Sequence, residues 1–344
     1  MNALMFLFLG LGALFFWTVH TLGESTWQIN FQRVLEAMAL TVPFSVVLFI
    51  IAFPGLGDLF EWTHTDHHDE LLAEKAPYLN IPFWLIRFVI YFALWSFFAV
   101  YLRKVSVKND FEPKENYLKR VRSTSGWFMV FFAISSSMAA WDWLMSIDAH
   151  WFSTLYGWYI FSSLFVSALS VIIIITVAFK KFGILPNINR EHLHDLGKYL
   201  FAFSIFWAYL WLSQFLLIWY SNIPEETIYY VTRTEHFNFL FYLNLTVNFL
   251  VPLLALMMRN AKRQGTYLAI VALVVLLGHY LDLYLAIFPG AVGHEAATIG
   301  VLEIGLPFFY LAVFLALFFV FFGKAKPVPQ NHPYFIESSS YENI

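Results

Sequence analysis

Cysteine is absent from all 344 residues. The chain can therefore form no disulfide, thiolate-ligated zinc site, cysteine-ligated iron–sulfur cluster or covalently attached c-type haem. Charge is scarce as well: Asp, Glu, Lys and Arg make up 12% of the residues, about half the share in soluble domains. The net charge of -3 says nothing about partners, because the charges are confined to loops, and no nucleic-acid partner is expected. What is abundant is apolar. Hydrophobic residues reach 60% with 40 Phe, mean hydropathy is +0.66, and lipid is the solvent this composition suits. Thirteen Trp and 18 Tyr supply material for aromatic belts at both interfaces.

Windows of about 20 residues give roughly nine spans. They fall near Asn2–His20, Val34–Phe53, Pro82–Leu102, Gly126–Met145, Ser153–Phe179, Gly197–Tyr220, Asn238–Met258, Thr266–Phe288 and Gly300–Phe322. These runs are too long and too uniformly apolar for the alternating strands of a barrel. The predicted fold class is all-α: a polytopic transmembrane helical bundle over residues 1–325, with residues 326–344 as an extended cytoplasmic tail carrying Pro327, Pro329 and Pro333. Met1 opens into apolar sequence without a basic flank or a small-residue cleavage site, so the first run reads as a span rather than a signal peptide.

Loop charges orient the bundle. Arg103, Lys104, Lys108, Lys114, Lys119, Arg120 and Arg122 crowd the third loop; Lys180, Lys181, Arg190 and Lys198 the fifth; Arg259, Lys262 and Arg263 the seventh; Lys324 and Lys326 follow the last span. The second and sixth loops are acidic, with Asp58, Glu61, Asp66, Asp69, Glu70 and Glu74, then Glu225, Glu226 and Glu235. Basic loops stay in the cytoplasm, which predicts an outward N-terminus and a cytoplasmic C-terminus.

Polar residues inside the apolar runs are the candidate functional residues, because an ionisable group at membrane depth is costly unless paired or hydrated. Ser135, Met138 and Asp142 share one face of the fourth span, and Asp142 reads either as a functional carboxylate or as a helix-end group reaching water. Asp148 and His150 fall in the short loop that follows. His279 and Asp282 share a face of the eighth span, where a histidine beside a carboxylate suits a proton relay and a static interhelical hydrogen bond is the plainer reading. Glu303, near the start of the ninth span, extends that path or marks the interface. His192, His194 and Asp195 at the foot of the sixth span are the candidate cytoplasmic entrance. Higher on that span, Trp207, Trp211 and Gln214 form a stripe that suits a quinone headgroup or ordinary packing. Asn244 and Asn248 read as interhelical hydrogen-bonding residues. Only His279 is well inside a span, so a bis-histidine haem is not expected. The run His64–Glu70 has metal-like composition but no spacing that enforces coordination. One polar path is expected to join Asp142 to His279 and Asp282 and to open near Asp148 and His150. Asp142→Asn and Asp282→Asn are expected to leave the assembly intact.

Several stretches carry a resemblance: Trp141–Ser146, His150–Tyr159, His194–Leu196, Trp211–Phe215, Ile218–Glu226 and Leu277–Asp282. Together they resemble the NrfD-like integral membrane subunits of bacterial alternative complex III, of the ActF kind, over nearly the whole chain. Such subunits usually carry one more N-terminal helix, so the resemblance implies about ten spans in a full-length chain. It further implies a multi-pass subunit of the bacterial inner membrane, in a respiratory complex that oxidises quinol. The implied partners are a second NrfD-like subunit, an iron–sulfur protein and cytochrome c subunits, with a terminal oxidase as a further candidate. On that reading haem c and iron–sulfur clusters reside on partners, this chain binds no redox cofactor, and a quinol such as menaquinol is its one candidate ligand. A proton path suits these residues better than a quinone site. A stand-alone secondary transporter is the alternative, which broken helices in two matching repeats would support.

Overall fold

The computed structural model describes residues 1–64, 70–292 and 301–342, without the side chains of 70, 292 and 301–304. Among these residues every regular element is helical and there is no strand. Nine helical segments are long and apolar enough to cross a membrane: Asn2–Leu22, Trp27–Leu59, Ile81–Phe111, Tyr117–Ile147, Tyr156–Lys181, Arg190–Ser221, Asn238–Ala255, Gly265–Ala291 and Gly305–Phe322. The chain is thus a multi-pass integral membrane protein with the bundle architecture expected from the length of its apolar runs. Successive spans run in opposite directions, so the bundle has an N-terminal end and a C-terminal end, and the basic loops gather at the latter.

Two spans depart from straight helices for reasons visible in the residues. The second is broken between Gln32–Ala39 and Val42–Ala52, where Pro43 lacks an N–H and its ring crowds the preceding turn. The seventh contains one π turn, Thr246–Leu250, directly before Pro252; the wider turn accommodates the carbonyl that Pro252 cannot bond. The third span runs 31 residues to Phe111, about 46 Å, well beyond a hydrocarbon core of about 30 Å. Arg103, expected in a loop, is therefore a helical residue and is buried.

The first and fifth spans form the centre. A Cβ on Gly12 would lie 2.4 Å from the Ala168 Cβ, so glycine is what lets these two backbones approach. Around them the other spans turn Val89, Ile90, Val130, Ile134, Leu216 and Leu254 outward, the surface that lipid covers. Trp158, Trp219 and Tyr220 are exposed near the N-terminal end, as an interfacial aromatic belt requires.

The tail is not simply extended. Phe335–Ser339 forms a short helix that closes the C-terminal end of the bundle. Ser338 Oγ donates to the Trp27 carbonyl (3.0 Å) and accepts from the Asn30 N–H (3.2 Å), and Asn30 Nδ2 donates to the Ser338 carbonyl (2.8 Å). These bonds satisfy backbone groups left open where the second span begins. Asn109 Nδ2 holds the Asn331 carbonyl, and Asn331 Nδ2 the Asp110 carbonyl. His332 packs edge-on against Tyr117, and its Nδ1 accepts from the Tyr334 N–H (3.2 Å). Burial pushes the His332 imidazole down to about 4. Its folded pKa lies below the unfolded value of about 6.5, so neutral His332 favours the docked tail, and that contribution is lost as pH falls from about 6.5 to about 4. Proteolysis of the tail is expected to accelerate over that window. In His332→Gln the acceleration should shrink; an identical acid profile would show that another group releases the tail.

Candidate functional site

Asp142 sits where the fourth span ends, and the third span places Arg87 opposite it. Arg87 Nε donates to Oδ2 (2.8 Å) and Nη2 to Oδ1 (2.9 Å), while the Tyr91 hydroxyl adds a third bond to Oδ2 (3.0 Å). Trp84 Nε1 and Ser146 Oγ donate to the Asp142 carbonyl at 3.0 and 2.7 Å. The Arg87 guanidinium lies over the Tyr78 and Phe83 rings and donates to the Tyr78 carbonyl. Asp142 and Arg87 are both buried. A bidentate guanidinium fixes this carboxylate in place. Asp142 therefore does not reach water, and both its carboxylate oxygens are taken by Arg87, with Tyr91 on one of them.

Asp282 is held differently. Trp207 Nε1 donates to Oδ2 at 3.0 Å, Asn244 Nδ2 donates to Oδ1 at 2.8 Å, and the Tyr159 hydroxyl makes a very short bond to Oδ1. His279 Nδ1 stands 3.8 Å from Oδ2 and 3.0 Å from Ser163 Oγ. The donors come from the fifth, sixth and seventh spans, so this carboxylate gathers four helices. These donors are neutral groups, and the remaining neighbour, from the eighth span itself, is the His279 imidazole. Asp282 and His279 are buried, and among the described residues His279 Nε2 and Asn248 Oδ1 have no hydrogen-bond partner. Asn248 Nδ2 donates to Asn244 Oδ1 at 2.6 Å from within the π turn, where such irregularities often mark functional positions. A Cβ on Gly278 would lie 2.3 Å from Asn248 Oδ1, so the glycine beside His279 lets the seventh span come this close.

A small cavity adjoins the cluster. Tyr159, Gln214, Tyr229, Tyr230, Arg233 and Asn244 give it a polar lining, and Trp211, Phe241, Leu285 and Ala286 complete the wall. Its volume of about 20 Å³ has room for about one water and is too small for a quinone headgroup. The Trp207–Trp211–Gln214 stripe thus faces inward on a polar cluster and a water-sized space. Beyond it lies Arg233, on the helix Pro224–His236. Arg233 donates to the Leu285 and Tyr229 carbonyls (3.0 and 2.8 Å) and to Asp148 Oδ2 (3.2 Å), and it stacks on the Tyr229 ring, which itself stacks on Trp151. Burial pushes the Tyr229 phenol up to about 12 and that of Tyr230 higher still, so both remain neutral hydroxyls. The Asp148 side chain keeps 25% of its surface and meets water at the N-terminal end. The exposed His150 stands 3.9 Å from Glu61.

At the C-terminal end His192 is a capping residue: Asn189 Oδ1 accepts from the N–H groups of Glu191 and His192, and His192 Nε2 lies 3.2 Å from Asn30 Nδ2. Asp195 is contacted by Lys198 Nζ and the Tyr341 hydroxyl, each at 2.5 Å, and lies 3.6 Å from His194 Nδ1. The candidate entrance is thus covered by the folded tail. Beside it is a cluster that sequence reasoning missed. Glu36 is reached by Arg33 Nη1 (2.5 Å), Gln32 Nε2 (2.8 Å), Ser106 Oγ (2.6 Å) and Arg103 Nη1, and Arg33 Nη2 also binds Asp110 Oδ2 (2.5 Å). Glu303 belongs to the helix Val301–Phe322, but its side chain lies outside the described residues. So do residues 65–69 of the histidine-rich run.

Sequence reading brought His279 and Asp282 together correctly and assigned Asp148 to the same end. The structure does not put Asp142 with them: its partners come from the third and fourth spans, those of Asp282 from the fifth to the eighth. Arg87, Tyr159 and Arg233 were missed. Arg87 had a legible signal as the one cation within the apolar run Pro82–Leu102. Among the described residues, no three His, Asp or Glu side chains converge in a way that could hold a metal ion. No protein-family model and no curated protein matches the sequence.

Proposed function

We propose that this chain is a membrane subunit of a respiratory quinol-oxidising complex of the alternative complex III kind, and that the His279–Asp282 cluster forms the outward half of a proton path. The observation that carries the path is the contrast between the two buried carboxylates. Asp142 is clamped by a guanidinium, whereas Asp282 faces neutral donors and one imidazole beside a water-sized cavity. A proton on His279 makes an ion pair with Asp282; the Tyr159 hydroxyl and a water admitted to the cavity offer the next positions; Asp148, bonded to Arg233, is the acceptor at the surface. Membership of the complex rests on the motif stretches that resemble its NrfD-like subunits. Quinol oxidation, haem c and iron–sulfur clusters then belong to the second NrfD-like subunit, the cytochrome c subunits and the iron–sulfur protein. The basic C-terminal end faces the cytoplasm of the bacterial inner membrane.

The broken seventh span is the observation that favours the alternative, a stand-alone secondary transporter. Mild-detergent purification of the tagged full chain from its native membrane separates the two. The proposal expects haem-bearing and iron–sulfur partners in fixed stoichiometry. A chain that isolates alone and retains its thermal stability would sink it.

A further inference from the structure

We propose that the protein carries a site for the headgroup of an anionic phospholipid at the C-terminal end of the bundle. A recess of about 840 Å³ opens between the end of the fifth span and the starts of the sixth and eighth, lined by Lys180, Lys181, Arg190, Glu191 and Arg263. Four cations face a single carboxylate. Glu191 is engaged by Arg263 at 2.7 Å, and among the described residues no carboxylate pairs with Lys180, Lys181 or Arg190. Arg263 lines the recess, and its buried Nε has no hydrogen-bond partner among the described residues. The eighth helix begins at Gly265 in the same recess with no acidic residue in its first turn, so its N-terminal dipole adds to the positive field.

Two features select a lipid over a soluble anion. The recess lies where three membrane spans end, at headgroup depth. Val177 and Leu193 contribute to its lining, so apolar wall adjoins the charges, as an acyl chain entering beneath its phosphate requires. Basic pockets between spans recognise anionic headgroups in this way, at roughly fivefold in affinity per Lys or Arg near the surface.

The test reconstitutes the full chain in phosphatidylcholine vesicles with spin-labelled phosphatidylglycerol or spin-labelled phosphatidylcholine. The wild-type chain should immobilise the anionic label preferentially. Lys180→Gln combined with Arg190→Gln should lower that preference by ~25-fold, whereas Lys180→Arg with Arg190→Lys should keep most of it. Glu191→Gln frees Arg263 and should raise it, a result that remains readable if the double variant fails to fold. An unchanged preference in the folded double variant, or no rise in Glu191→Gln, would overturn the proposal. Displacement of the label by inorganic phosphate but not by chloride of equal ionic strength would reassign the site to a soluble anion and equally overturn it.

Discussion

Asp142→Asn is expected to destabilise the protein by about 3–5 kcal/mol, because it leaves a buried guanidinium without its counter-charge. The amide offers Arg87 one neutral acceptor and one repelling N–H₂ in place of two carboxylate oxygens now bonded at 2.8 and 2.9 Å. Thermal unfolding of the detergent-solubilised protein measures the loss. Arg87→Met should be comparably damaging, since it strands the carboxylate. Arg87→Met combined with Asp142→Leu should recover most of the stability, as apolar replacement of a buried pair commonly does. Sequence reading expected the amide to leave the assembly intact, a judgement sound only for a carboxylate with neutral partners. An Asp142→Asn protein with unchanged melting would mean that the Arg87 bridge contributes nothing.

Asp282→Asn should behave differently, milder for folding but functionally severe. Asn can still accept from Tyr159 and Asn244, although its N–H₂ meets the Trp207 N–H, a mismatch costing about 1–3 kcal/mol. What it cannot do is exchange a proton with His279. With the chain in its assembled complex, proton release per electron should fall toward background and proton-coupled turnover by ~100-fold, the scale of a lost proton-transfer group. Asp282→Glu should restore part of both, which a purely structural role would not require. Unchanged proton stoichiometry and rate in Asp282→Asn would make the cluster interhelical glue, with protons crossing elsewhere or not at all.

Much of this architecture was legible before any coordinates. Nine spans, their alternation and the gathering of basic loops at one end follow from apolar run length and from the cost of moving charge into hydrocarbon, both properties of short windows of sequence. The i, i+3 spacing put His279 and Asp282 on one face for the same local reason. Window arithmetic failed where helices outrun the bilayer. Arg103 looked like a loop cation because nothing in its neighbourhood announces Glu36, 67 residues away. The proline-rich tail looked extended because its partners, Trp27 and Asn30, lie at the other end of the sequence.

The roles of the carboxylates were decided only in three dimensions. Asp142 and Asp282 are the same residue type in similarly apolar surroundings, and sequence placed both on one path. What separates them is the partner that packing delivers: a guanidinium from the third span for one, neutral donors and an imidazole from four helices for the other. A buried charge is governed by what lies within about 4 Å of it, and those neighbours come from remote parts of the chain. Sequence therefore determined which residues are costly to bury, and the tertiary structure determined which of them is clamped by a guanidinium and which is held by neutral donors and an imidazole.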